Sequence, residues 1–231
     1  MRRWRRRQPT EREALGLTGL EPVSRMYGAD RGKPVDRWYI ERFLAAHTAD
    51  VRGRVLEVAE TTYTEWYGGG DVTSSDVLHA APGNPDATIV GDLATGEGIP
   101  SEAFDCFVMT QTLHVIYDVA AAVRGTRNLL APGGVLLATV PGISQISPDG
   151  RRDWGDWWRF TTDSARRLFG DAYGAENVEV EAHGNVLSSA CFLYGLAAEE
   201  LSEAELAHHD PDFELLMTVR AVKRRARAGA G

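Results

Sequence analysis

The run Arg54-Val55-Leu56-Glu57-Val58-Ala59-Glu60, followed after a turn by Asp71-Val72-Thr73-Ser74-Ser75-Asp76, decides how this chain reads. An apolar segment with an acid inside it, then a second segment ending in an acid 19 positions after the first, is how a βαβ unit holds the hydroxyls of an adenosine ribose. Glycine is missing from the run. A dinucleotide site needs glycine in the first turn so that backbone can approach a pyrophosphate at the helix N-terminus. Ala59, Thr61 and Tyr63 stand there instead, with the carboxylate of Glu60 among them. That carboxylate repels a pyrophosphate but tolerates a cationic ligand, which disfavours a nicotinamide dinucleotide and an oxidoreductase.

Outward from this run, a first strand over 54–58 follows Gly53, a second ends at Asp76, and a third over 87–92 ends at Asp92. In an open parallel sheet ligands bind beyond the carboxyl ends of strands, so Glu57, Asp76 and Asp92 are expected to converge on one crevice. Residues 104–110 read as a buried fourth strand, 118–130 as the helix after it, and Pro132-Gly133-Gly134 as a turn. Residues 135–140 form a continuous apolar fifth strand of the parallel central kind, stopped by Pro141-Gly142. A polar and aromatic excursion over 144–160 precedes a helix near 162–169, and strands at 178–182 and 213–222 flank a helical segment over 188–206. Upstream, Pro34 opens a helix in which Val35, Trp38, Tyr39, Phe43 and Leu44 recur at helical spacing, with Asp36 in the first turn where the dipole favours an acid. Residues 1–33 read as a partly disordered arm, 34–222 as one domain without internal repeats, and 223–231 as a basic tail.

Composition narrows the function. The chain has 231 residues, 43% hydrophobic and 25% charged, enough for one large α/β domain that buries its own core. Cys106 and Cys191 lie far apart, and Cys106 sits in an apolar run, which suits reduced thiols and a cytoplasmic setting. Nine of the 25 bases occupy the two ends (Arg2, Arg3, Arg5, Arg6, Arg7, Lys223, Arg224, Arg225 and Arg227), leaving 16 bases against 33 acids between them. Such an acidic body argues against a nucleic-acid partner, and the basic ends read as solvated tails. The early arginines are followed by the polar stretch 8–13 and not by an apolar core, so neither a secretory signal nor a membrane span is expected.

This order of elements resembles the class I S-adenosylmethionine-dependent methyltransferases over roughly residues 35–222. Tyr27-Gly28, Arg31-Gly32-Lys33-Pro34-Val35-Asp36-Arg37, Phe104-Asp105-Cys106, Thr110-Gln111-Thr112-Leu113-His114, Ile116-Tyr117-Asp118, Pro132-Gly133-Gly134-Val135-Leu136-Leu137 and Trp158-Arg159-Phe160-Thr161 resemble a bacterial subgroup often found beside or fused to glycosyltransferases. The resemblance implies a Rossmann-like, doubly wound α/β fold whose seven-stranded sheet is mostly parallel with an antiparallel last strand. It also implies methyl transfer from S-adenosylmethionine to a small-molecule acceptor, a saccharide or glycosylated metabolite methylated at oxygen, and association with a glycosyltransferase. Position by position, Glu57, Val58 and Ala59 would line the methionine end of the cofactor, and Asp76 with Val77 would meet the ribose. Asp92 would accept from the adenine amino group with Leu93 giving its amide, and Thr110 and Gln111 would lie beneath the methionine moiety. The chain departs from the family's Glu-x-Gly-x-Gly at Ala59 and Thr61. A non-catalytic binding or scaffold protein that kept the fold while its glycine loop decayed is therefore the rival reading.

Each site residue also has a structural use. Glu57 can pair with Arg54 or Arg37, Asp76 can cap a helix, Asp92 can close a turn, and Arg37 can form a surface ion pair or bind the cofactor carboxylate. Methyl transfer needs alignment above all, and a base helps. His114, just after the fourth strand, is the sequence's best candidate for that base, although its apolar neighbours suit a packing histidine better; His183 and His79 are weaker choices. Trp154, Trp157 and Trp158 are placed to close over a planar or sugar acceptor, or to pack on the sheet edge. Neither His208-His209 nor Asp149, Asp153 and Asp156 has the spacing of a strong metal motif, and no metal is expected.

Overall fold

The computed structural model describes residues 19–225. Its strands are β1 (Gly53–Val58), β2 (Val72–His79), β3 (Ile89–Val90), β4 (Phe104–Thr110), β5 (Leu130–Pro141), β6 (Val178–His183) and β7 (Leu216–Val222). Among the described residues they form one seven-stranded sheet in the order β3-β2-β1-β4-β5-β7-β6. β1 runs parallel to β2 and β4, and β4 parallel to β5, whereas β7 is antiparallel to both β5 and β6. The Rossmann-like, mostly parallel sheet with an antiparallel last strand is thus what forms. The chain steps outward from β1 to β3 and then returns to place β4 on the other side of β1. That reversal opens a crevice beyond the carboxyl ends of β1 and β4.

Helices cover both faces because side chains along a strand alternate between them. On β4, Phe107 and Met109 enter a core with Val123 of α3 (Val119–Leu129) and Phe169 of α5 (Thr162–Tyr173). Cys106 and Val108 enter the opposite core with Ile40 and Leu44 of α1 (Val35–Ala46) and Phe192 of α6 (Val186–Tyr194). The remaining helices are short: α2 (Thr62–Tyr67), α4 (Pro148–Asp153) and α7 (Glu203–Ala207). No described helix is long and apolar enough to cross a membrane.

The structure departs from the expected elements at six points. β2 runs three residues past Asp76, to His79, and β3 spans only Ile89–Val90. The helical segment expected over 188–206 is broken, because Gly195 caps α6 in the left-handed conformation (φ 72°) and only the short α7 follows. Pro132-Gly133-Gly134 does not separate two elements; it lies inside β5, beside an irregularity in the pairing with β4. Part of the supposed arm is packed: the Val23 amide donates to the Tyr194 carbonyl, the Tyr27 ring lies 5.8 Å from that of Phe192, and the Ala198 amide donates to the Lys33 carbonyl. At the other end Lys223 is buried, not solvated, donating to the Leu130 carbonyl at 2.7 Å and pairing with Glu102 at 3.0 Å. The basic residues at 2–7 and Arg227 lie outside the described residues.

Candidate active site

The crevice holds a cavity of about 330 Å³ walled by the carboxyl ends of β1, β2 and β4 and by the turn after β3. Glu57, Val58 and Ala59 line it, as do Asp92, Leu93, Thr110 and Gln111, so seven of the nine residues expected at the cofactor come together. Glu57 is 2% exposed and already engaged: its oxygens accept from the Tyr63 amide (3.1 Å), the Thr64 amide (2.8 Å) and the Thr64 hydroxyl (2.8 Å). It anchors the start of α2, and burial, with help from nearby Glu60, raises its pKa against those hydrogen bonds. Neither of its expected ion-pair partners takes it.

The glycine-poor turn keeps a glycine's geometry. Ala59 has φ 71°, in the left-handed region where a Cβ costs on the order of 1 kcal/mol. Its amide donates to Leu78 and its carbonyl accepts from the Asn84 side chain at 2.8 Å, bonds that hold it there. Asp92 closes the turn after β3 by accepting from the Ala94 amide at 2.7 Å. This turn is clamped from behind, since a Cβ on Gly125 of α3 would stand 1.9 Å from the Leu93 carbonyl oxygen.

Asp76 and Val77 are the exceptions. In register Leu56 pairs with Asp76, so Asp76 lies level with the middle of β1 and short of the crevice. Its carboxylate accepts from Arg54 at 2.8 Å and from the Thr88 hydroxyl at 2.9 Å, and those bonds, Arg54 first, hold it below the usual carboxylate range. At the place where β2 meets the cavity stand His79 and Ala80. The sequence signal was an acid after a short polar strand, and it gave no indication that the strand continues through Val77 and Leu78.

A second cavity of about 340 Å³ adjoins the first, and Arg37 and Gln111 line both. Its walls come from distant segments: Tyr27, the start of α1, the residues after β4, the excursion after β5, and Phe192. Gln111 is strained at φ 47° and donates from Nε2 to Asp36 Oδ2 at 3.1 Å, while its Oε1 is buried without a partner. Arg37 donates to the Tyr63 hydroxyl at 2.7 Å and not to a surface acid. His114 faces this cavity; burial is the main cause that lowers its pKa to about 4, and its Nδ1 has no partner. It is therefore neutral at pH 7 and weakly basic. Arg159 grips Asp156 through both guanidinium ends, at 2.5 and 3.1 Å.

The tryptophans divide. Trp154 lines the first cavity and meets His79 edge-on at 5.8 Å, whereas Trp157 and Trp158 are 52% and 38% exposed against Tyr117, away from both cavities. His183 is also outside them, stacked on Tyr39. Cys106 and Cys191 are free thiols.

Residues 49–138 match the family model described as a methyltransferase domain. This stretch holds β1 to β4 and the greater part of β5. No curated protein matches the chain. Among solved structures, an S-adenosylmethionine-dependent methyltransferase from Mesorhizobium loti is 15% identical, with 81% of this chain and 97% of that chain covered and a TM-score of 0.51. The N-methyltransferase NodS from Bradyrhizobium japonicum, in complex with S-adenosyl-L-homocysteine, is 14% identical over 92% and 97% of the two chains, with a TM-score of 0.51. The [4+2]-cyclase SpnF reaches 0.54 at 15% identity over 85% of each chain. These likenesses establish the methyltransferase fold, and a cyclase among them illustrates that chemistry is set by the site and not by the sheet.

Proposed function

We propose that this methyltransferase binds S-adenosylmethionine in the crevice between β1 and β4 and transfers its methyl group to an oxygen of a small molecule in the adjoining cavity. The observation that carries the reading is the meeting of two cavities at Gln111 and Arg37. The residues present fit the cofactor at its two ends. The carboxylates of Glu57, Glu60 and Asp92 suit a cation, and the turn at Ala59 brings backbone to the cavity wall without a Gly-rich loop. Bound there, S-adenosylmethionine supplies an electrophilic methyl on a sulfonium. The chain's own residues then have simple tasks: Asp92 and the Leu93 amide hold the adenine end, Thr110 and Gln111 floor the methionine end, and Arg37 pairs with its carboxylate.

The ribose position departs from the family, with His79 where an acid is expected. That one feature favours the scaffold reading. Calorimetric titration with S-adenosylmethionine and S-adenosylhomocysteine separates the two: micromolar binding supports the enzyme, and a folded protein that binds neither supports the scaffold. A saccharide acceptor, a glycosyltransferase partner and a cytoplasmic setting rest on the subgroup resemblance and the composition. The cavity of about 340 Å³, lined by the rings of Tyr27 and Phe192 together with polar side chains, suits a single sugar ring.

A further inference from the structure

The second cavity concentrates unmet hydrogen bonding. Among the described residues five buried side-chain polar atoms lack a partner, and three of them, Gln111 Oε1, His114 Nδ1 and Arg159 Nε, belong to residues lining this cavity. Buried groups left unpaired cost about 1–3 kcal/mol each, so such clustering marks a place that a polar ligand completes. Backbone strain at Gln111, on the seam between the two cavities, is of the kind retained at working sites. Asp36 adjoins that seam. It is 8% exposed, lines the second cavity only, and is held by the Gln111 amide at 3.1 Å. A buried carboxylate on the first turn of α1 adds nothing to the dipole interaction that the sequence suggests and a surface acid would not supply equally, whereas it incurs desolvation. Burial raises its pKa above the usual carboxylate range, with Arg37 opposing.

We propose that Asp36 is the proton acceptor of this methyltransferase, receiving the proton of a neutral, hydroxyl-bearing acceptor one ring in size that sits in the second cavity. The inference rests on the reading of the first cavity as the cofactor site. The acceptor oxygen forms its bond to the methyl carbon as the carbon–sulfur bond breaks, the electron pair of that bond passes to sulfur, and the hydroxyl proton passes to the Asp36 carboxylate. Gln111 positions Asp36 through Nε2 and leaves Oε1 free to accept from a second hydroxyl of the acceptor. The neutral His114 supplies a further hydrogen bond, so the base expected at His114 moves to Asp36.

The test uses the full chain. S-adenosylhomocysteine binding is measured first by calorimetry; if the wild type does not bind it, the cofactor reading fails on its own. The loaded protein is then probed by saturation-transfer NMR with methyl α-glucopyranoside and phenol, with ethanolamine as an amine control, and methyl transfer from labelled S-adenosylmethionine is followed to each. Binding of a hydroxyl probe, a fall in kcat of about 100-fold in Asp36→Asn, recovery of at least tenfold by Asp36→Glu, and S-adenosylhomocysteine affinity within threefold of wild type are expected. Asp36→Asn removes a buried charge and keeps the shape, and a melting curve checks its fold. Saturation confined to ethanolamine, no probe bound to the loaded protein, or Asp36→Asn turning over within threefold of wild type would overturn the proposal.

Discussion

The two cavities are close in volume and opposite in construction. In the cavity proposed for the donor the groups on the strand ends are already paired, apart from the shared Gln111: Glu57 accepts three hydrogen bonds, Asp92 closes its own turn, and Ala59 is bonded at both its amide and its carbonyl. In the cavity proposed for the acceptor Gln111, His114 and Arg159 each keep a buried polar atom without a partner. One is built from strand ends whose carboxylates are bonded within the chain, and the other collects buried polar atoms that the chain does not pair. Substitutions in the first should therefore cost stability and cofactor affinity together, while those in the second should change chemistry and leave the fold intact.

The largest break in that contrast is expected from Glu57→Ala. It leaves the Tyr63 and Thr64 amides and the Thr64 hydroxyl without an acceptor in a buried site, which should cost about 4 kcal/mol in urea unfolding and abolish S-adenosylmethionine binding. A stable variant with intact affinity would show that the carboxylate is not a structural anchor of the donor cavity.

On the acceptor side the counterpart is a pH effect. Folded His114 takes a proton only near pH 4, whereas in the unfolded chain it does so near 6.5. Below 6.5 the unfolded state binds the proton first, so stability should fall by up to about 3 kcal/mol as pH drops from 6.5 to 4. His114→Asn should flatten that dependence. Equal slopes in both proteins would place the acid sensitivity elsewhere, His183 being the next group whose pKa burial lowers.

A smaller effect sharpens the donor side. Gly125→Ala pushes a methyl group into the Leu93 carbonyl, and about 2 kcal/mol of destabilisation with at least tenfold weaker S-adenosylmethionine binding is expected, because the turn carrying Asp92 must move. At the bottom of the scale, Ala59→Gly relieves a left-handed alanine and should stabilise the chain by up to about 1 kcal/mol. A loss would mean that φ there is set by something other than the alanine's surroundings.

The same contrast explains what the sequence revealed. β4 was legible to the residue, 104–110, because a buried strand is a continuous apolar run bounded by Gly, Pro and polar turns, and the β1 acid and the acid after β3 followed from strand ends. Asp76 was misplaced for a definite reason. Ser74, Ser75 and Asp76 are polar and Val77-Leu78 apolar, so the visible change of pattern falls at Asp76, while the ladder to β1 runs on to Leu78. The acceptor cavity was nearly invisible. Tyr27, Asp36, Gln111, Arg159 and Phe192 meet only in three dimensions, and Asp36 by itself looked like an ordinary acid in a first helical turn. Its partner Gln111 was recognised for its place after β4, not for the side-chain bond that makes Asp36 interesting.

The central claim, a cofactor site built on the β1, β3 and β4 ends without the acid of β2, is tested most directly by calorimetric titration of S-adenosylmethionine into wild type, Asp92→Ala and Asp76→Ala. Micromolar binding by wild type, a loss of at least tenfold in Asp92→Ala and affinity within threefold in Asp76→Ala are predicted. Binding abolished by Asp76→Ala and kept by Asp92→Ala, or no binding by folded wild type, would contradict it.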